Sequence, residues 1–518
     1  MFAVLALCAS LAYADEPSTL SVVVSDAKGN RVHSLTRGDF QIVTRGAKNE
    51  ITEFTDGHAT PRSIVVLFDL TSISMAARNT IIEALHNFLT ASMRPGDRVI
   101  LLTAGQALTP VSSWTAEKKE IDAALERIST SSAPATMGGD RAAAEKRIRE
   151  MITDIQQATR TFYNFDTLLD AVRVYASACY RDGQQAIGLL SATIDLFPAK
   201  ATRNVLIIAG GGLPVRAGAD MFQYMDSVKA QAEQGQLGGA LRVGAARSSP
   251  LSETNSYDLG PILHAFTSLA WSRGVAIYAI DSEMSEGPSS QVESQRTMDR
   301  AASFTTLANR SAGYQVIADE TGGLAILAQR PAEALAQILA DLDSFYSIRI
   351  RTTAPLAAHS ALDIRSKPGY KVRFTSGGTI PPPDTEVRGR VIAHHLIKPD
   401  TNDLGISLQA AAPVGDGDKR RVALKVMIPI KNLKFVQEGD QVTGGFTVYI
   451  ATGDSAGHAS PVNKQSQQLR WPVAALQAAG DRQLTFAVDV VLDPGRTQIS
   501  VGVLDEKSQA TGYERVSI

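Results

Sequence analysis

The segment Asp69-Leu70-Thr71-Ser72-Ile73-Ser74 sets one carboxylate and three hydroxyls directly after the apolar run Ile64-Val65-Val66-Leu67-Phe68. Two kinds of chemistry suit such a cluster. Oxygen-only ligands fit hard divalent cations, which need several well-placed oxygens; Asp69, Thr71, Ser72 and Ser74 are then the candidate metal ligands, for magnesium or manganese. The same residue types also cap helices, their side-chain oxygens accepting backbone N–H groups. The second reading, with Asp69 and Thr71 capping the following helix, is favoured, because one secure carboxylate makes a poor cation site.

These residues need a frame to hold them. Five consecutive apolar residues without polar alternation suit a parallel strand buried on both faces. Val99-Ile100-Leu101-Leu102, Val205-Leu206-Ile207-Ile208 and Val275 to Asp281 read the same way. Between them lie helical patterns, such as Ile81, Ile82, Leu85, Phe88 and Leu89 on one face, the stretch Ile262 to Trp271, and Leu335, Ile338, Leu339 and Leu342 after Pro331. Strands alternating with helices give an α/β fold with a doubly wound, mostly parallel sheet. Such sheets bind ligands in loops at the carboxyl ends of their strands. Asp69 and the Gly210-Gly211-Gly212 turn both fall at such ends. Asp281 does too, and is read as satisfying loop amides.

Asp69 to Ser74 resembles a degenerate form of the Asp-x-Ser-x-Ser metal-adhesion loop of von Willebrand factor type A domains. In that family the aspartate and two hydroxyls bind a divalent cation, and a threonine and a further acid on two other loops complete the site. Here Thr71 falls at the first hydroxyl position, Ile73 at the second, and Ser72 and Ser74 lie out of step. Where the family often carries Ser/Thr-Asp-Gly, this chain has Ala209-Gly210-Gly211-Gly212. Asp166-Thr167-Leu168-Leu169-Asp170-Ala171 is the best match to Thr-x-Leu-x-x-Ala, with Asp166 rather than Thr167 at the ligand position. The resemblance implies a module that binds a protein partner at the sheet rim without a cofactor. The residues implied in partner binding are Asp69, Thr71, Ser72, Asp166, Thr167, Gly210 and Gly211, with Gly212 completing a turn free of side chains.

A second resemblance covers more of the chain. Leu20 to Asp26, the Lys28-Gly29-Asn30 turn, Asp39 to Thr44, the Gly46 turn and Ile51 to Phe54 are similar to the amino-terminal segment of von Willebrand-A-related secreted proteins of the acidobacterial type. So are Gly274 to Asp281, Glu320-Thr321-Gly322-Gly323 and Phe345 to Ile348.

At 518 residues the chain exceeds what one hydrophobic core serves. Five segments are expected: a signal peptide at 1–14, a small β unit at 19–56, the von Willebrand-A-like domain at 60–376 with a helical insertion at about 130–200, a Gly/Pro linker at 377–385, and an immunoglobulin-like β-sandwich at 386–518. The small-x-small end Ala12-Tyr13-Ala14 points to export, hence a secreted, periplasmic or cell-envelope location. A net charge of −2 argues against nucleic-acid binding. Cleavage after Ala14 leaves Cys179 alone, so no internal disulfide is expected, and Cys179 reads as a small buried apolar residue. His394-His395, read as strand neighbours, cannot share one ion. No Gly-x-Ser-x-Gly elbow and no Gly-rich phosphate loop appears, so an enzyme is not expected, and a hydrolase stands last among the readings.

Overall fold

A computed structural model describes residues 17–44, 46–57, 60–131, 139–157, 163–197, 203–237, 241–242, 249–281, 299–327, 330–352, 356, 359, 362–376, 382–399, 401–454 and 459–518. The expected signal peptide and most of the expected linker lie outside the described residues.

Strands β1 (Pro17–Ser25), β2 (Gln41–Thr44), β3 (Ala47–Lys48) and β4 (Glu50–Asp56) open the chain. The α/β portion then runs β5 (Arg62–Asp69), α1 (Met75–Ser92), β6 (Arg98–Ala104), β7 (Leu108–Pro110), α2 (Lys118–Thr130) and α3 (Gly139–Gln156). It continues with β8 (Tyr163–Asn164), α4 (Phe165–Ile194), β9 (Arg203–Gly210), α5 (Ala219–Glu233), β10 (Leu241–Arg242) and α6 (Gly260–Ser272). The last elements of this portion are β11 (Val275–Asp281), α7 (Asp299–Thr321), β12 (Ala325–Leu327) and α8 (Pro331–Asp343).

The six-stranded central sheet has the order β12-β11-β9-β5-β6-β7, parallel except for the edge strand β7. The chain winds outward from β5 to β7, then returns to β9 and winds the other way to β12. Its switch point therefore lies between β5 and β9, where a crevice opens at the carboxyl edge. The apolar run of β5 is explained by its two faces: Ile64, Val66 and Phe68 enter the core under α1, α2 and α8, while Val65 and Leu67 enter the core under α4, α5 and α6. Each such fully buried side chain contributes about 1.5–3 kcal/mol.

Residues 19–56 do not form a sheet of their own. β1 and β4 flank β13 (Tyr346–Arg351), and β1 also pairs with β15 (Lys371–Ser376), giving the antiparallel order β15-β1-β13-β4. β2 pairs with β3 and with β14 (Leu362–Arg365). A buried ionic junction joins the two parts. Asp341 of α8, with no exposure, is held by Arg31 and by both oxygens to the Arg373 guanidinium at 2.7 and 2.8 Å. Within the α/β portion itself, Arg62 lies against Asp97 at 2.5 Å.

Between 130 and 200 the described residues are mainly helical, in α3 and α4. α4 is a 30-residue helix, and Asp166-Thr167 belongs to its first turn rather than to a ligand loop. α7, which the Gly/Ser/Gln-rich sequence around it concealed, runs up to the Gly322 turn.

Beyond it, α9 (Pro383–Ala393) begins where the linker was expected, with Pro383 in its first turn, and so ends the extended reading there. His394 and His395 follow α9 at a helix end rather than on a strand, and both are buried. The remaining strands are β16 (Ser407–Ala410), β17 (Val414–Asp416), β18 (Lys419–Pro429), β19 (Val436–Glu438), β20 (Gln441–Gly453), β21 (Asn463–Pro472), β22 (Gln483–Leu492), β23 (Gln498–Asp505) and β24 (Thr511–Ser517), with a short helix α10 (Val473–Ala479). They form two antiparallel sheets, one around β18 and one around β20 and β23, packed on a shared core that includes Leu424, Val426, Phe446, Val448 and Val501. α9 bridges outward: Val387 and Val391 pack on Tyr449 and Tyr513 of the second sheet, while Ala393 and Ile397 join the α/β core.

Candidate functional site at the sheet rim

Asp69 closes β5, and the turn after it is set by its own backbone and side chain. The Asp69 carbonyl accepts from the Ser72 and Ile73 amides at 3.3 and 3.2 Å. Asp69 Oδ1 accepts from the Thr71 amide at 3.0 Å and the Thr71 hydroxyl at 2.6 Å. Asp69 Oδ2 accepts from the Ser72 hydroxyl at 2.6 Å, and Ser72 Oγ in turn accepts from the Gly211 amide at 2.9 Å. Ser72 thereby ties the loop after β5 to the loop after β9 across the switch point.

The capping role falls on a different residue from those favoured in the sequence. Ser74 is the N-cap of α1 and accepts from the Ala77 amide at 3.2 Å. Asp69 and Thr71 form an Asx-type turn just before it, because Asp bonds its own backbone two residues on more readily than it reaches four residues into a helix.

Gly210 and Gly212 admit the protein's own helix α7 to the rim. A Cβ on Gly210 would run into the Tyr314 hydroxyl and stand 3.2 Å from Ser72 Oγ. Gly212 has φ +96°, and a Cβ there would lie 2.8 Å from Cβ of Arg310, whose guanidinium donates to the Gly211 carbonyl. A side-chain-free turn is thus required for close packing inside the molecule, independently of any partner. Tyr314 is almost fully buried; burial, reinforced by the charges of Asp69 and Asp281, pushes its hydroxyl well above the ordinary range. Asp281, at the end of β11 and 4% exposed, faces the Ser311 hydroxyl of α7 at 3.5 Å.

Beside Asp69 lies a cavity of about 60 Å³. Its walls include Leu67, Leu190, Ile208 and Leu213, and its polar groups are Asp69, Thr71, Tyr314, Asp182 of α4 and Arg141 of α3. Arg141 and Asp182 stand 4.0 Å apart. The structure brings Asp69, Thr71, Ser72 and the Gly210-Gly211-Gly212 turn together, and leaves Asp166 and Thr167 elsewhere. These last two are exposed in the first turn of α4, sixteen residues before Asp182, which is about 24 Å along a helix axis. Sequence reasoning missed Asp182, Arg141, Arg310 and Tyr314. Their signal was helical period, in Leu168, Val172, Tyr175, Cys179 and Ile187 for α4, and in Tyr314, Ile317 and Thr321 for α7. Cys179 is buried as read, and burial pushes its thiol up to about 12, far from a reactive thiolate.

A hard divalent cation does not fit this arrangement. The Thr71 and Ser72 hydroxyls donate to Asp69, Ser72 Oγ also accepts from Gly211, Ser74 is engaged as a cap, and glycines stand where a second acid would complete the ring. Among the described residues no group of three or more His, Cys, Asp or Glu side chains is placed to hold a metal. Among them, too, no helix is long and apolar enough to cross a membrane.

No protein-family profile and no curated protein matches the chain. Solved structures give distant likenesses. Proximal thread matrix protein 1 from the mussel byssus is 11% identical, at a TM-score of 0.24 over 62% of this chain, and the chain spans 50% of its length. A von Willebrand factor type A protein from Catenulispora acidiphila is 8% identical at a TM-score of 0.27, covering 98% of this chain and 75% of that one. Three N-terminal domains of a type V pilus tip protein from Porphyromonas gingivalis are 9% identical at a TM-score of 0.25, covering 97% and 78% respectively. The resemblance to von Willebrand factor type A proteins is therefore a distant one.

Proposed function

We propose that this chain is a non-enzymatic protein-interaction module, secreted or held in the cell envelope, that engages its partner at the carboxyl edge of the parallel sheet without a resident cation. One observation carries the reading. Thr71 and Ser72 satisfy the Asp69 carboxylate, and Ser72 locks the two switch-point loops together, so the rim is organised before any ligand arrives. A preorganised edge loses little conformational freedom on binding. Thr71 is exposed on that edge, beside an open cavity.

The test is capture from the envelope fraction of the source organism, with Thr71→Arg as the blocked form. Capture that Thr71→Arg abolishes at unchanged melting temperature, and that chelator leaves intact, supports the reading. Capture equal in wild type and variant removes it.

A second reading, a divalent-cation-dependent adhesin, draws on the Thr71 and Ser72 hydroxyls lying beside the two Asp69 oxygens, and requires both hydroxyls to turn from the carboxylate to an ion. Capture restored by magnesium after chelation would favour it.

A further inference from the structure

We infer that the cavity beside Asp69 receives the ammonium end of a lysine side chain from the partner protein. The inference rests on the rim being the partner-binding edge and names the chemistry that edge selects. A rim that held a divalent cation would attract acidic groups. Without one, the sign reverses. The charged side chains lining the cavity are the carboxylates of Asp69 and Asp182 and the guanidinium of Arg141, a formal balance of −1. Asp281 adds a further negative charge behind Tyr314. Arg310, the nearest other cation on α7, is turned to the Gly211 carbonyl.

The remaining wall is aliphatic, from Leu67, Leu190, Ile208 and Leu213. An alkyl stem ending in a single positive charge matches both parts of this lining, since lysine buries its methylenes and keeps its ammonium at polar groups. The cavity, of about 60 Å³, has room for an ammonium group and the end of its alkyl stem. Asp69 Oδ1 already accepts from the Thr71 amide and hydroxyl, so the incoming N–H takes the second acceptor site of Oδ2, which accepts from the Ser72 hydroxyl. Arg141, half-exposed and 4.0 Å from Asp182, is the internal cation that the lysine displaces.

The probe is n-butylammonium, compared with n-butanol and butyrate by titration against the full chain at neutral pH. Butylammonium is expected to bind, and butanol and butyrate at least tenfold more weakly. Asp182→Asn should weaken butylammonium about tenfold, the loss of one close charge pair, and Arg141→Ala should tighten it. Asp182 reads the effect without touching the Asp69 turn, so a folding defect in an Asp69 variant does not decide the matter. Equal binding of butanol, preference for butyrate, or indifference to Asp182→Asn overturns the inference. Partner capture that persists in excess butylammonium overturns the lysine assignment and leaves the rim reading standing. Loss of capture in butylammonium, but not in butanol, supports both.

Discussion

Ser72→Ala tests the tie across the switch point. The hydroxyl links the loop after β5 to the loop after β9, donating to Asp69 Oδ2 and accepting from the Gly211 amide. Its removal leaves an amide without a partner, at about 1–3 kcal/mol, and takes one hydrogen bond from a charged acceptor, at about 1.5–3 kcal/mol. These do not add in full, because Ser72 is only half-buried and water can enter. A net loss of about 2 kcal/mol is expected, felt locally. In a chain with several cores a single melting transition is a blunt reporter, so the assay is hydrogen exchange on peptides covering 66–75 and 205–214. A local loss of about 2 kcal/mol is roughly a thirtyfold rise in exchange at Gly211 and its neighbours. Thr71→Val should raise it far less, since the exposed hydroxyl is one of two donors to Asp69 Oδ1. Unchanged protection at Gly211 in Ser72→Ala would refute the tie.

Other outcomes follow from buried groups. Asp341→Ala leaves the partly exposed Arg31 and Arg373 without their shared buried carboxylate, and should destabilise by about 3 kcal/mol, the low end for breaking a buried pair, read as a fall in the urea midpoint of the α/β portion. Gly210→Ala should loosen the packing of α7 on the rim, seen as faster proteolysis within 299–321, because the added methyl meets Tyr314 and Ser72. His395 is buried, with Arg515 and Arg496 near it, and these hold its pKa at about 4 against an ordinary 6.5. The unfolded chain then takes up a proton on falling pH before the folded one does. The stability that neutral His395 contributes is complete above pH 6.5 and is lost as pH falls toward 4, a change of roughly 3 kcal/mol at most. Melting of the β-sandwich portion should fall across that window, and His395→Gln should flatten the slope.

The sheet was legible because its strands are buried on both faces: Ile64 to Phe68 and Val205 to Ile208 carry no polar alternation to confuse them with anything else. The strands around Val426, Val448 and Val501 were legible from alternation and turns. That Asp69 closes a strand's carboxyl end followed from the apolar run before it, whereas its place at the switch point needed the strand order. What failed was partner choice at long range. That β1 pairs with β13 and β15, more than three hundred residues away, is set by which apolar faces remain open once the α/β core closes, and no local signal carries it. The threonine-loop reading of Asp166-Thr167 failed because a six-residue motif was weighed above the helical period that surrounds it. The glycines at 210 and 212 were read as open to a partner, whereas their space belongs to Tyr314 and Arg310, on a helix whose sequence pattern is weak. Ser74 shows the same limit at short range. Spacing alone does not say which of several neighbouring hydroxyls becomes the cap.

Elemental analysis of the full chain, purified without added divalent salts, bears most directly on whether the rim works without a metal. If Thr71 and Ser72 close Asp69 as described, magnesium and manganese will lie well below one ion per chain, and melting will coincide in chelator and in excess of either ion. One ion held per chain, released by chelator and lost in Asp69→Ala, would contradict it.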